Sequence, residues 1–226
     1  IWEIKKNIKV SFKRDASAPN TLLEYYSIGR ILGRGSFGKV NLALHKLTRK
    51  IVAIKSINKN LAIDEDRMKK VDNEINLMSK MRHKNVCKYY ERLETDQHNL
   101  FIMEVCQGGD LLSYVRKRRR LEEPIAKFIF KQVIAGLGYI HSLKIIHRDI
   151  KLENILIDNE GVVKIADFGI SHEIKPEQKA VKDICGTVAY MAPEMILKQR
   201  SGYDTSVDIW SAGVLLYVMI YGCLPF

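Results

Sequence analysis

The sequence predicts an α+β chain, with a small antiparallel five-stranded sheet plus one helix, then a mostly helical second half. Three observations carry this. Strand-like runs at Tyr26 to Leu32, Val40 to Leu44 and Ile51 to Ile57 are separated by a glycine turn and a polar turn. Between Asp64 and Met81 the apolar residues Met68, Val71, Ile75 and Met78 recur at helical spacing. After Gly108-Gly109, acids and a proline at Glu122-Glu123-Pro124 open a helix whose apolar residues run through Phe128, Val133 and Leu137 to Ile140.

The elements follow in order. Residues 1–24 are polar and basic and read as an extension; residues 25–105 form the first lobe and residues 106–226 the second. Glu74 shares a helix face with Val71 and Met78, so an acid points inward. Val86 to Leu93 and Leu100 to Val105 complete the sheet. The run Arg116-Lys117-Arg118-Arg119-Arg120 reads as a solvated surface turn, with a partner or localisation patch as the alternative. Ile145-Ile146, Ile155-Leu156-Ile157 and Val162-Val163-Lys164-Ile165 are short strands. Thr205-Ser206-Val207-Asp208 resembles a capping box opening a last helix with Trp210, Val214, Leu215 and Val218 on its faces.

With 226 residues and 46% hydrophobic content the chain can build a core and is not disordered. A net charge of +11 suits an anionic ligand or an acidic partner and also fits nucleic acid, so charge alone does not choose. Cys87, Cys106, Cys185 and Cys223 lie far apart without C-x-x-C spacing, which predicts reduced thiols in a cytoplasmic or nuclear protein and speaks against zinc. The chain starts at Ile1 without a secretory signal and reads as a fragment. Its longest apolar run, Val214 to Ile220, is short of the ~20 residues that span a bilayer.

Chemistry concentrates in His147-Arg148-Asp149-Ile150-Lys151-Leu152-Glu153-Asn154 and Asp167-Phe168-Gly169. Flanking short strands would bring two acids, a lysine and an amide carbonyl to one edge. That set offers oxygen ligands for a hard cation, one cation for phosphate charge and one acid free to act as base. Leu32-Gly33-Arg34-Gly35-Ser36-Phe37-Gly38-Lys39-Val40 is followed by a strand, not a helix, which excludes a dinucleotide turn. Val40 stands where the phosphate loop of nucleoside triphosphatases needs a hydroxyl, which excludes that motif too. What remains is a hairpin whose missing side chains let backbone N–H groups approach a triphosphate. Val52-Ala53-Ile54-Lys55 ends an apolar strand on a lysine, and the inward Glu74 is the partner that would make it a phosphate-holding ion pair.

Taken in order, G-x-G-x-F-G-x-V, V-A-I-K, a helix glutamate, H-R-D-I-K-x-x-N, D-F-G and Ala192-Pro193-Glu194 resemble a eukaryotic protein kinase domain over Tyr26 to Phe226. Lys151 and Gly186-Thr187-Val188-Ala189-Tyr190 resemble the serine/threonine branch, and within it the calcium/calmodulin-dependent group with its calcium-dependent and AMP-activated-like kinases. The resemblance implies a bilobal kinase fold that uses ATP and Mg²⁺ on protein substrates, with no nucleic acid and no membrane span. It implies Lys55 with Glu74 on the α and β phosphates, Asp167 and Asn154 on Mg²⁺, and Asp149 as base. Lys151 would face the γ phosphate, with Thr187 holding Asp149 and Lys151. Adenine would lie between Val40, Ala53 and Leu156, bonded to backbone at Glu104 and Cys106, with Met103 guarding the back pocket and Asp110 at the rim. Met78, Tyr90, His147 and Phe168 match stacked side chains that rest on Asp208.

The resemblance also implies that Asp110 and Glu153 face the N-terminal side of the substrate and favour arginine there. Leu152 replaces the proline common in the catalytic loop. Kinases normally continue beyond the position of Phe226 for several helices, including the arginine that pairs with the glutamate matching Glu194, so a longer polypeptide is expected. Between Ser171 and Thr187 there is no serine, threonine or tyrosine. Asp183 is therefore the expected permanent partner of Arg148, with control coming from a segment or partner outside residues 1–226. An ATP-binding pseudokinase or scaffold is the second reading, weakened because Lys55, Asp149 and Asp167 are all present. A basic nucleic-acid binder is the third and rests on net charge alone.

Overall fold

The computed structural model describes residues 24–35, 38–59, 65–175, 177, 180–197 and 201–226. They fall into two compact units, residues up to Lys69 with Lys88–Val105, and Lys70–Cys87 with Cys106–Phe226.

The first unit is an antiparallel sheet of β1 (Tyr26–Gly35), β2 (Gly38–His45), β3 (Ile51–Asn58), β4 (Tyr89–Glu94) and β5 (His98–Met103), ordered β1-β2-β3-β5-β4. Residues directly opposite in an antiparallel ladder share a face. The pairs Ala43↔Val52, Asn41↔Ile54 and Ile54↔Ile102 define one face. It carries the core cluster of Tyr26, Ala43, Val52, Ile54, Leu100 and Ile102, against which Ile28, Tyr90 and Leu93 pack. The pairs Val40↔Lys55, Lys55↔Phe101 and Ala53↔Met103 define the other. Register alone thus gathers Val40, Ala53, Lys55 and Met103 on one side of the sheet.

Among the described residues the second unit holds most of the helical chain. Its helices are the Lys70–Lys80 part of α1 (Glu65–Lys80), then α2 (Leu111–Arg118), α3 (Glu123–Ser142), α4 (Pro193–Ile196) and α5 (Ser206–Tyr221). Short strands β6 (Gly109–Asp110), β7 (Ile145–Ile146), β8 (Ile155–Ile157), β9 (Val163–Ile165) and β10 (His172–Glu173) form a β6-β8-β9 sheet and a β10-β7 pair. On α1, Glu74, Leu77, Met78 and then Met81 are buried, a single i, i+3, i+4, i+7 stripe. Met68 and Val71 of the expected stripe lie outside the described side chains. No helix among the described residues is long and apolar enough to cross a membrane.

Residues Lys70–Cys87 group with the second unit. Asn73 Nδ2 donates to the Ser171 carbonyl (3.2 Å), Lys80 pairs with Glu173 (2.8 Å), and the Arg82 N–H donates to Tyr139 Oη (2.7 Å). Val86 does not begin a strand of the sheet. It forms a parallel bridge to Ile165, because Cys87 N–H and Asn85 C=O bond both sides of Ile165, and β4 starts at Tyr89. The basic run belongs to a helix the sequence reading missed. Asp110 caps α2 and Leu111 and Val115 anchor it, while Arg116, Lys117 and Arg118 occupy the last turn, where the helix dipole favours cations. Thr205 makes no capping box: it already has helical dihedrals (φ −63°, ψ −15°), and Asp204 Oδ1 accepts from the Ser206 N–H (2.8 Å) instead.

The glycines of the β1–β2 hairpin differ in what they permit. A Cβ on Gly38 would fall inside van der Waals contact with the Ser56 carbonyl oxygen, whereas one on Gly33 would meet nothing within 4 Å. Gly38→Ala should therefore destabilise the protein by about 1–3 kcal/mol. Gly33→Ala should leave stability unchanged or raised by under about 1 kcal/mol. Thermal melts of both variants measure this, and equal losses would contradict the close approach at Gly38.

Candidate active site

The stretches around Arg148 and Asp167 are built on a strained backbone. Arg148 has φ +68° and Asp167 φ +63°, left-handed conformations that cost energy for residues with a side chain. The context that holds Arg148 is Asp208. This fully buried side chain on the first turn of α5 accepts from the Arg148 N–H through Oδ1 (2.8 Å). Its Oδ2 accepts from the His147 N–H (2.8 Å) and from His141 Nε2 (2.8 Å). His147 is itself fully buried, donates Nε2–H to the Ala166 carbonyl (3.0 Å) and meets Phe168 edge to face at 4.9 Å. Met78 is buried in the same unit, and Tyr90 packs in the first.

This backbone presents Asp149 to a tight polar cluster. Thr187 Oγ1 donates to Asp149 Oδ1 (2.8 Å), while Lys151 Nζ donates to Thr187 Oγ1 (2.8 Å) and pairs with Asp149 Oδ2 (2.8 Å). Asn154 Nδ2 donates to Asp149 Oδ2 (3.0 Å) and to the Asp149 carbonyl (2.8 Å). Burial pushes the Asp149 carboxyl up, but the hydrogen bonds from Lys151 and Thr187 and the Lys151 charge outweigh it and hold the group below the usual carboxylate range. Asp149 is therefore ionised near neutrality, with its geometry fixed from three sides.

Asn154 and Asp167 flank the open end of the β8–β9 hairpin, one before its first strand and one after its second. Ile155 pairs with Ile165, and the ladder runs one step further through Ala166 N–H to the Asn154 carbonyl (2.9 Å). With its amide nitrogen committed to Asp149, Asn154 offers its side-chain oxygen as a ligand. Among the described residues no three His, Cys, Asp or Glu side chains cluster as a metal cage. One carboxylate and one amide oxygen, completed by substrate phosphates, instead fit the way Mg²⁺ is bound.

The other sequence-predicted residues divide between the units. In the first, Val40, Ala53, Lys55 and Met103 share a sheet face as above, Leu32 is partly exposed, and the Glu104 N–H donates to the Lys88 carbonyl (2.8 Å). Lys39 precedes Val40 on β2; Arg34 and Gly35 end β1; Ser36 and Phe37 lie outside the described residues. In the second, the carbonyl of Cys106 accepts from the Gly109 N–H (3.4 Å), Asp110 pairs with Leu156 across β6–β8, and Glu74 is buried on α1. Asp110 has a second task, because its carboxylate takes the Ser113 N–H (2.7 Å) and Ser113 Oγ (2.9 Å) as the cap of α2. Glu153 is exposed in the 3₁₀ turn Leu152–Asn154, where Leu152 is fully buried. Asp183 stands 3.9 Å from Arg148 at the outer limit of an ion pair, with its side chain 78% exposed.

Sequence reasoning missed His141 and Tyr203. Both act through hydrogen bonds to groups distant in sequence, and neither sits in a local pattern that announces it.

Comparison with known proteins supplies the family. Three relatives are CBL-interacting serine/threonine-protein kinase 10 of Arabidopsis thaliana (41% identical over 211 residues), SNF1-related protein kinase catalytic subunit alpha KIN12 of the same plant (40% over 210) and NUAK family SNF1-like kinase 1 of Homo sapiens (38% over 207). The matches cover 92%, 91% and 92% of this chain. They cover 43%, 41% and 31% of those proteins, so the chain spans less than half the length of each. Residues 26–226 match the family described as protein kinase domain, and the chain belongs to that family.

Proposed function

We propose that this protein is an ATP-dependent serine/threonine protein kinase that transfers the γ-phosphoryl group of Mg-ATP to hydroxyls of protein substrates. The observation that carries the proposal is the Asp149–Lys151–Thr187–Asn154 cluster, which fixes one ionised carboxylate beside one cation. The substrate hydroxyl donates its hydrogen bond to Asp149. Its oxygen bonds to the γ-phosphorus as the bond to the bridging oxygen of ADP breaks, and the proton leaves to Asp149. A carboxylate held below its usual range is a weak base. Asp149 therefore orients the hydroxyl first and takes the proton late, once the loose transition state has made it acidic. Lys151 neutralises charge on the moving phosphoryl group, and Lys55 is assigned to the α and β phosphates. Bound Mg²⁺, held by Asn154 and Asp167, would supply charge neutralisation on the phosphates.

Asp149→Asn should abolish transfer and keep ATP affinity within about threefold, since the phosphate and metal ligands remain. Asp167→Ala should weaken Mg-ATP binding itself by loss of an anionic ligand. Calorimetry with Mg-ATP and a peptide-phosphorylation assay on both variants check this. Loss of ATP binding in Asp149→Asn, or unchanged affinity in Asp167→Ala, would contradict the roles.

Thr187→Val removes one of the two side-chain donors that lower the Asp149 pKa. The acid limb of kcat should then move to higher pH, because Asp149 protonates earlier as pH falls. A pH–rate profile with the limb unmoved would separate Thr187 from the base.

We also propose a preference for arginine a few positions before the phosphorylated residue, carried mainly by Glu153, since Asp110 is already engaged as a cap. Glu153→Gln should lower kcat/KM about tenfold for an arginine-containing peptide and leave its alanine analogue unaffected. An acidic or proline-directed preference on a peptide array would refute this. Control is proposed to come from a segment or partner outside residues 1–226, a mode for which kinases named as CBL-interacting give precedent. The wide spacing of the four cysteines, with no C-x-x-C pair, supports a cytoplasmic or nuclear setting.

A further inference from the structure

Kinase sites of this kind need the segment between Asp167 and Thr187 to be ordered, because Thr187 at its end holds the base. Here that segment has no serine, threonine or tyrosine between Ser171, which is buried, and Thr187, so this stretch offers no hydroxyl for phosphorylation. The carboxylate of Asp183 does not replace a phosphate in geometry. It is 3.9 Å from the Arg148 guanidinium and 78% exposed, a separation and exposure at which a single pair is screened to almost nothing.

The Arg148 guanidinium is instead committed elsewhere. Its Nε donates to the Ile170 carbonyl (2.6 Å) and its NH1 to the hydroxyl of Tyr203 (3.2 Å). Guanidinium can only donate, so the Tyr203 oxygen accepts. Its one hydrogen then goes to the Asp183 main-chain carbonyl (2.6 Å). The same residue clasps the segment through its backbone: Val181 N–H donates to the Tyr203 carbonyl and Tyr203 N–H to the Val181 carbonyl, both at 2.9 Å. Val181 and Tyr203 are buried together with Ile146, Ala192, Met195 and Val207. Gly202 (φ +72°) makes room, since a Cβ there would lie 2.6 Å from the Val181 carbonyl oxygen.

We propose that Tyr203 is the positioning residue that locks the activation segment onto Arg148, its neutral hydroxyl and backbone bridge doing without phosphorylation what a phosphate does in a segment that carries one. The inference rests on the kinase reading above and names how that site is kept ordered. Arg148 joins the Tyr203 hydroxyl to the loop bearing Asp149; Asp183 and Val181 join the hydroxyl and backbone of Tyr203 to the segment bearing Thr187. Both ends of the Asp149–Thr187 bond are therefore tied to one buried tyrosine. Burial pushes the Tyr203 phenol above its ordinary range, against the opposing pull of Arg148, so it keeps the hydrogen that the Asp183 carbonyl requires.

The test uses the full-length protein after phosphatase treatment, comparing wild type with Tyr203→Phe and Asp183→Asn by steady-state kinetics and by hydrogen exchange over residues 180–187. Phosphatase treatment should change wild-type kcat by less than about twofold. Tyr203→Phe, which keeps the ring and loses only the hydroxyl, should lower kcat about tenfold with the KM for ATP held within about twofold. Exchange at residues 183–186 should rise about tenfold in the same variant. Asp183→Asn should stay within about twofold of wild type in all three readouts. Wild-type kcat and exchange in Tyr203→Phe, or an equal loss in Asp183→Asn, would overturn the proposal. An inactive wild type would overturn the kinase reading instead, and the exchange comparison would still decide the anchor. If Tyr203→Phe fails to fold, Gly202→Ala is read in its place: accelerated exchange confined to residues 180–187 supports the clasp, and wild-type exchange there refutes it.

Discussion

The arrangement at the site depends on one buried carboxylate. Asp208 has no solvent exposure, and its two oxygens collect the backbone N–H groups of His147 and Arg148 and the Nε2 of His141. Without it, two amide donors would be left buried and unpaired at about 1–3 kcal/mol each. Arg148 would then lose the acceptor that holds its backbone N–H at φ +68°. That dihedral turns the chain so that Asp149 faces Lys151, Asn154 and Thr187. Gly186 shows how closely the surroundings are fitted to it: its φ is +107°, and a Cβ there would collide with the Arg148 carbonyl oxygen. Strain at one residue is thus maintained by a buried charge on one side and by a missing side chain on the other.

From that constraint the electrostatics follow. Asp149 is half-buried, which by itself would favour the neutral acid, and the charge of Lys151 with the Thr187 donor reverses this. Thr187 belongs to a different stretch of chain from Asp149 and Lys151. The protonation preference of Asp149 and the order of the stretch that ends at Thr187 are therefore one problem: if that stretch drifts, Asp149 loses a donor and its orientation together. Lys151 resists this by bonding both Thr187 Oγ1 and Asp149 Oδ2, so the three side chains form a closed triangle.

The parts of this that were legible in the sequence are those with a period or a local signature. The inward Glu74 followed from 3.6-residue spacing, and the stripe continues through Leu77, Met78 and Met81. The five strands and the long helix with proline in its first turn followed from alternation and capping chemistry. The helix α2 carried a readable signal, Asp110 before apolar residues at Leu111 and Val115, but the basic run that begins in its last turn and continues through Arg119 and Arg120 drew the reading toward a turn. Thr205 misled because its residue type suits a cap while Asp204, one position earlier, supplies the bond. Tyr203 was invisible, since a tyrosine in a polar connection has no local partner and acquires its role only when Val181 and Arg148 arrive from elsewhere in the chain. The hairpin glycines were legible as a type, but only the structure separates Gly38, needed for strand packing, from Gly33, which leaves open space.

The β8–β9 hairpin shows why Asn154, Asp167 and Asp149 keep a fixed relation despite lying on loops. The hairpin is three residues per strand, with Ile155 and Ile165 both fully buried and directly paired. Asn154 precedes the first strand and Asp167 follows the second by two positions, so the ladder sets their separation. The Ala166 backbone closes the arrangement: its N–H bonds the Asn154 carbonyl, and its carbonyl accepts from His147 Nε2. His147 is in turn bound to Asp208 through its own N–H. A one-residue slip in a two-strand ladder would turn every side chain to the opposite face, and here the buried pair Ile155–Ile165 forbids it. Asp149, Asn154 and the strained loop are therefore tied by backbone hydrogen bonds that end on Asp208, while the polar side chains proposed to do the chemistry stay at the strand ends, where the ladder stops.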